Sequence, residues 1–156
     1  MYIKNIKWRV KNEKTNTDSR FSGLWNGKDM ISEGGSQGGF QAIAVAALEK
    51  RITYVNVNFP WLCDIGGYGV DGRQNSTYMP SYTEALEYYD TVNFGKRLTV
   101  DITISPVGFG DYVANPTGIT ALYNNIPDTV NKKIVYQQNR THGRAPQDNY
   151  SYVVEN

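Results

Sequence analysis

Residues 34–48 read Gly-Gly-Ser-Gln-Gly-Gly-Phe-Gln-Ala-Ile-Ala-Val-Ala-Ala-Leu, and few folds accommodate such a run. A glycine-rich turn around one serine leads straight into nine residues that are apolar nearly all round and rich in alanine. That composition predicts a helix over 40–48, buried against a sheet. Before the turn, Asn26-Gly27 is a turn signal and residues 28–33 read as a short strand. A Gly-x-Ser-x-Gly turn between a strand and a helix holds its serine in a strained bend, where bulky neighbours would clash. Ser36, within Gly34-Gly35-Ser36-Gln37-Gly38, is therefore the candidate nucleophile of a serine hydrolase. The alternative is a glycine turn that happens to hold a serine.

The rest of the chain alternates strand and helix. Residues 52–57 are rich in β-branched side chains, and 98–105 alternate apolar residues with Thr and Asp, so both read as strands. Residues 64–81 read as loop, 82–89 as an aromatic helix, and 116–124 as a helix with Pro116 in its first turn. Residues 134–138 read as a last short strand, followed by a loop over 140–146. Near the start, Ile3, Ile6 and Val10 have helical spacing, and 12–19 read as loop. The order predicts an α/β fold, a mostly parallel sheet of about four strands with flanking helices.

A serine hydroxyl needs a base, an orienting acid and an oxyanion site before it can attack an ester near neutral pH. In a fold of this pattern the acid follows the nucleophile and the histidine follows the acid. Asp111 lies just past the strand that ends near Ser105, and His142, the single histidine, lies past the final strand. Asp111 could instead be a turn residue or helix cap. Asp101 is the rival acid, placed inside a strand rather than after one. The backbone N–H of Gln37, next after the nucleophile, is the expected oxyanion donor. No segment before Ser36 reads as the source of a second donor.

Composition narrows the remaining classes. With 156 residues the chain fits one domain, and 16 basic against 15 acidic side chains give a net charge of +1. That offers no electrostatic case for nucleic acid or an anionic membrane. No apolar run approaches the length needed to span a bilayer. The single cysteine, Cys63, excludes an internal disulfide and CxxC-type zinc sites, and reads as a small buried thiol.

Several segments carry a resemblance. Trp25-Asn26-Gly27-Lys28-Asp29, Gly34-Gly35-Ser36-Gln37-Gly38-Gly39 and Phe59-Pro60-Trp61-Leu62-Cys63-Asp64 are the most distinctive. Tyr82-Thr83-Glu84-Ala85-Leu86, Tyr89-Asp90-Thr91-Val92-Asn93-Phe94, Gly110-Asp111 with Pro116, Ala121-Leu122-Tyr123-Asn124, and Thr141-His142-Gly143 extend the match. Together they resemble the acetyl xylan esterase and cephalosporin-C deacetylase family, carbohydrate esterase family seven, of the α/β-hydrolase superfamily. The resemblance implies removal of acetyl groups from sugars such as xylo-oligosaccharides, with no metal or organic cofactor. It implies Ser36 as nucleophile, Asp111 as acid and His142 as base. It also implies a homo-oligomer, since the family tends to ring-like hexamers with active sites facing an internal chamber.

Two departures accompany it. Full members are longer, with further strands ahead of the nucleophile, so the chain reads as the C-terminal half of an α/β-hydrolase domain. Met1-Tyr2-Ile3 then resembles a point inside the preceding helix, and no compartment follows from the lack of a signal peptide. The family's oxyanion tyrosine has no counterpart among the tyrosines present. Secondly, Ser32-Glu33 replaces apolar residues before the turn. A buried unpaired carboxylate costs several kcal/mol, whereas a sheet edge tolerates one. Two other readings stand beside the esterase: a catalytically silent hydrolase-like domain maintained by self-association or partner binding, and the same fold acting on peptides or lactones. The aromatic residues Tyr82, Tyr88, Tyr89 and Phe94 read either as packing within an insertion or as a sugar subsite.

Overall fold

The computed structural model describes residues 28–146 and 149–156. The expected helix at Ile3, Ile6 and Val10, the loop over 12–19, and the Trp25-Asn26-Gly27 segment lie outside them. Strand β1 (Ile31–Gly35) runs through Ser36 into helix α1 (Gln37–Leu48), followed by β2 (Tyr54–Asn58). The stretch expected as loop contains a short helix, α2 (Ile65–Gly69), whose cap Asp64 accepts the Gly67 N–H at 3.3 Å. The aromatic stretch forms a 3-10 helix, Glu84–Tyr89, rather than an α-helix, and leads into α3 (Thr91–Gly95). Strand β3 (Asp101–Gly108), helix α4 (Pro116–Asn125), β4 (Lys132–Gln137) and β5 (Ser151–Glu155) complete the order. Pro116 opens α4 because its missing N–H would have no acceptor there. The Asn115 side chain caps the helix by accepting the Thr117 N–H at 2.9 Å.

The described strands form one sheet in the order β1-β2-β3-β4-β5. The first four are parallel, and β5 returns antiparallel to β4 with Val135 opposite Val153. The sequence suggested about four strands, and β5 is the addition. Its side chains are all exposed, so Ser-Tyr-Val-Val-Glu shows none of the alternation that a half-buried strand displays.

One face of the sheet supplies the core. Val55 and Val57 of β2, Ile102, Ile104 and Val107 of β3, and Ile134 of β4 are buried. Ala42, Ile43 and Ala46 of α1 and Ile119 and Leu122 of α4 close over them, forming one cluster. The alternate positions on these strands, Asn56, Thr103 and Lys133, are polar and at least partly exposed, as is Glu33 on β1. This period of two explains why residues 98–105 were legible as a strand. Among the described residues β1 is an edge strand. Ser32 turns into the α1 side, where its buried hydroxyl donates to the Ala42 carbonyl at 2.9 Å, while Glu33 turns to the exposed side. The two residues that departed from an apolar pattern thus face environments that accept them.

Candidate active site

The serine turn is built by close contact between two glycines. A Cβ on Gly34 would fall on the Gly38 carbonyl, well inside contact distance. A Cβ on Gly35 would meet the Phe59 ring at 3.6 Å and Asn58 Cβ at 3.7 Å, both ordinary contacts. So the outer glycines let the helix start fold back on the strand end, and the intervening one is less constrained. Ser36 pays the conformational cost, with φ 54° and ψ −122°, a region that costs a non-glycine residue about 1–3 kcal/mol. Its backbone is pinned from three directions. The N–H donates to Asn58 O at 3.0 Å, and the carbonyl accepts from Gly39 at 2.9 Å and from Trp61 at 3.0 Å. Gln37, expected as the oxyanion donor, is the first residue of α1. Its N–H is among the four at a helix start that have no intrahelical acceptor.

Asp111 and His142 are joined. The His142 Nδ1 lies 2.8 Å from Asp111 Oδ2 and 3.1 Å from Oδ1. The Asp111 carboxylate also accepts the Val113 and Ala114 N–H groups, each at 2.9 Å. Asp111 is therefore both the turn residue that the sequence allowed and the partner of the histidine. Its side chain is 1% exposed, against 25% for His142. A carboxylate fixed by two backbone amides cannot swing away from the ring. With Nδ1 directed at the acid, the neutral imidazole carries its proton there and leaves Nε2 to accept one. Asp101, the rival acid, sits at the opposite end of β3 and accepts from Asn131.

The loops bearing these residues are zipped together by backbone contacts. Arg140 O accepts the Gly110 N–H at 3.0 Å, and Phe109 N–H donates to Gln137 O at 3.0 Å. Ser36 follows β1, Asp111 follows β3 and His142 follows β4, so all three lie beyond the C-terminal ends of parallel strands. That edge is where open α/β sheets place their sites. Among the described residues no hydrogen bond joins Ser36 Oγ to His142. Phe59, after β2, packs its ring edge-on against the imidazole, with centroids 4.9 Å apart.

Sequence reasoning missed the clamp on the 59–64 loop. Phe59, Leu62 and Asp64 have φ of 33°, 58° and 59°, which is unusual for three non-glycine residues in one short loop. Asp90 is 7% exposed, and its carboxylate accepts the N–H groups of Asp64 at 3.0 Å, Ile65 at 2.7 Å and Val92 at 2.9 Å. Thr91 donates its hydroxyl to Trp61 O at 2.6 Å and its N–H to Leu62 O at 2.8 Å. Burial raises the Asp90 pKa above its ordinary value of 3.8, against the lowering effect of the three amides. An N-cap signal at Asp90 was available in the sequence, but its reach to residues 64 and 65 was not. Cys63 in the same loop is buried, and that burial, aided by the Asp90 charge, pushes its thiol well above the usual range. It is the inert thiol expected. Phe94 packs on Phe40 of α1, whereas Tyr88 is 82% exposed. Tyr82, Glu87, Tyr88, Asn93, Phe94 and Arg97 line a shallow groove of about 920 Å³.

Residues 25–68 match the family described as acetyl xylan esterase (AXE1). The chain is 31% identical to the acetyl esterase Axe7A of Xylanibacter ruminicola, over 83% of its own length and 31% of that protein. It superimposes on acetyl xylan esterase 1 from Thermoanaerobacterium sp. JW/SL YS485 with a TM-score of 0.60 at 27% identity, covering 79% of this chain and 43% of that one. The acylaminoacyl peptidase of Pyrococcus horikoshii gives a TM-score of 0.65 at 11% identity, over 84% of this chain and 22% of that one, a likeness of fold alone. The chain thus spans less than half the length of each of these three relatives. Over residues 25–68 the chain matches the acetyl xylan esterase (AXE1) family, and its sheet has the α/β fold of part of an α/β-hydrolase.

Proposed function

We propose that this chain carries the catalytic centre of a carboxylic-ester hydrolase that removes acetyl groups from acetylated carbohydrates. The observation that carries the reading is the Asp111–His142 pair at 2.8 Å, on the same sheet edge as a serine held at φ 54°. Ser36 Oγ attacks the acetyl carbonyl while His142 Nε2 takes its proton. Asp111 holds the imidazole and stabilises the imidazolium. The Gln37 N–H donates to the oxyanion, an interaction of the kind worth about 10²–10³ in rate. His142 returns the proton to the departing sugar hydroxyl, and water then releases acetate from Ser36 by the same steps in reverse. None of these steps requires a metal or cofactor.

The acetyl preference and the carbohydrate alcohol are both supported by the likeness to acetyl esterases and acetyl xylan esterases. The exposed Tyr88, in its groove of mixed polarity, offers a face on which a sugar ring can stack. The missing Ser36–His142 hydrogen bond favours a second reading, a hydrolase-like domain that is silent in this form. Catalytic hydrogen bonds in apo sites often tighten only with substrate. Turnover decides. The full chain should hydrolyse p-nitrophenyl acetate and acetylated xylo-oligosaccharides in preference to longer-chain esters, and Ser36→Ala should abolish this. Absence of Ser36-dependent turnover favours the silent reading, and a preference for peptides or long acyl chains contradicts the acetyl esterase.

A further inference from the structure

His142 is fixed on one side by Asp111, and the packing on its other side comes from the intervening strand. Between β1, which delivers Ser36, and β3, which delivers Asp111, runs β2, and the first residue beyond it is Phe59. Its ring meets three things. The imidazole of His142 packs against it at 4.9 Å and 62°, edge to face. The backbone of Gly35, just before Ser36, lies so near that a Cβ there would touch the ring at 3.6 Å. The Arg140 guanidinium sits over it, 5.6 Å from the centroid, within the range of a cation–π contact.

The ring and the guanidinium over it are themselves held. Phe59 adopts φ 33° and donates its N–H to Pro106 O at 3.1 Å, so the side chain's direction is set by a strained but anchored backbone. Arg140 donates from its guanidinium to Gln137 Oε1 at 3.1 Å, while its buried Nε has no partner among the described residues. An orphaned buried N–H is costly, and its retention fits a guanidinium that is kept over the ring. Arg140 and His142 are two residues apart, so the ring is gripped by the loop whose histidine it supports.

We propose that Phe59, capped by Arg140, is a positioning residue that sets the His142 imidazole between Asp111 and the Ser36 turn. The proposal rests on His142 acting as the base. The Asp111 bond fixes where Nδ1 points but leaves the ring free to rotate about the line to the carboxylate. An edge-on aromatic contact removes that freedom and directs Nε2 toward the space beside Ser36. A misplacement of about 1 Å in such a site can cost 10²-fold in rate.

The test compares Phe59→Leu, Phe59→Tyr and Arg140→Met with the wild-type full chain. Leucine keeps apolar bulk without the β-branching that φ 33° would penalise. Phe59→Leu should lower kcat on p-nitrophenyl acetate about 10- to 100-fold with KM nearly unchanged. Phe59→Tyr should restore most of it. Arg140→Met should cost about 2- to 5-fold, the scale of one cation–π contact. Because His142 is the single histidine, the downfield proton NMR signal of its Asp111-bonded Nδ1–H can be assigned without ambiguity. That signal should broaden or vanish through solvent exchange in Phe59→Leu and persist in Phe59→Tyr. A Phe59→Leu variant that keeps both its kcat and the Nδ1–H signal overturns the proposal. So does one that changes only KM, which would make the ring a substrate contact, or one that changes only the melting temperature. If the wild-type chain does not turn over the ester, the esterase reading fails, and the Nδ1–H signal alone decides whether Phe59 positions the ring.

Discussion

At the scale of single residues, the glycines of the serine turn are not interchangeable. Gly34 is needed because the Gly38 carbonyl occupies the place of any side chain, while Gly35 faces an aromatic ring at ordinary distance. Gly34→Ala must force backbone apart and should lower stability by about 3 kcal/mol or more. Gly35→Ala should stay within about 1 kcal/mol of wild type. Urea unfolding of the two variants checks the contrast, and equal losses would contradict the contact. Ser36 itself stores strain that a glycine would relieve, but only by giving up the hydroxyl. That strain persists because Asn58, Gly39 and Trp61 all bind its backbone.

At the scale of elements, the 59–64 loop depends on the segment that opens α3. The three amides that end on Asp90 would be orphaned in Asp90→Ala. At about 1 kcal/mol each for a lost partner, this predicts a loss near 3 kcal/mol. The pH dependence has a definite sign. Burial raises the Asp90 pKa in the fold above its ordinary 3.8, so the fold favours the protonated carboxyl. The stability this group contributes is present below pH 3.8 and is lost as pH rises through the raised folded value. Melting temperatures of wild type and Asp90→Asn across the carboxylate range should show this fall in the wild type and its absence in the variant. A fall of the same size in both would contradict it. The base-bearing loop has a matching support in β5. Gln138 donates to Tyr150 O at 3.0 Å, and Tyr152 approaches the Phe109 ring, which stacks on Tyr136. The Arg140–His142 segment is thereby held beside the acid loop by strand pairing on its far side.

At the scale of the whole molecule, four parallel strands deliver Ser36, Phe59, Asp111 and His142 in order along one sheet edge. Much of this was legible beforehand. β-Branched residues mark β2, the alternation of apolar residues with Thr and Asp marks β3, the alanine-rich run marks α1, and Pro116 marks the first turn of α4, because each signal is local. Asp111 was legible by position, past a strand, although its hydrogen bonds to Val113 and Ala114 fit the bland reading equally well. What was not legible depends on distant partners. Strand β5 has no buried face to impose a period, and the 3-10 turn of 84–89 shares its residues with an amphipathic helix. The Asp90 clamp and the Phe59 contact exist only once the chain has folded.

A Ser36 nucleophile activated by His142 reacts with a fluorophosphonate, and labelling of the intact chain followed by peptide mapping reads that reaction. One adduct is expected on the peptide containing Ser36, absent in Ser36→Ala and formed far more slowly in His142→Ala. An adduct elsewhere, none at all, or one whose rate ignores the loss of His142 would contradict it.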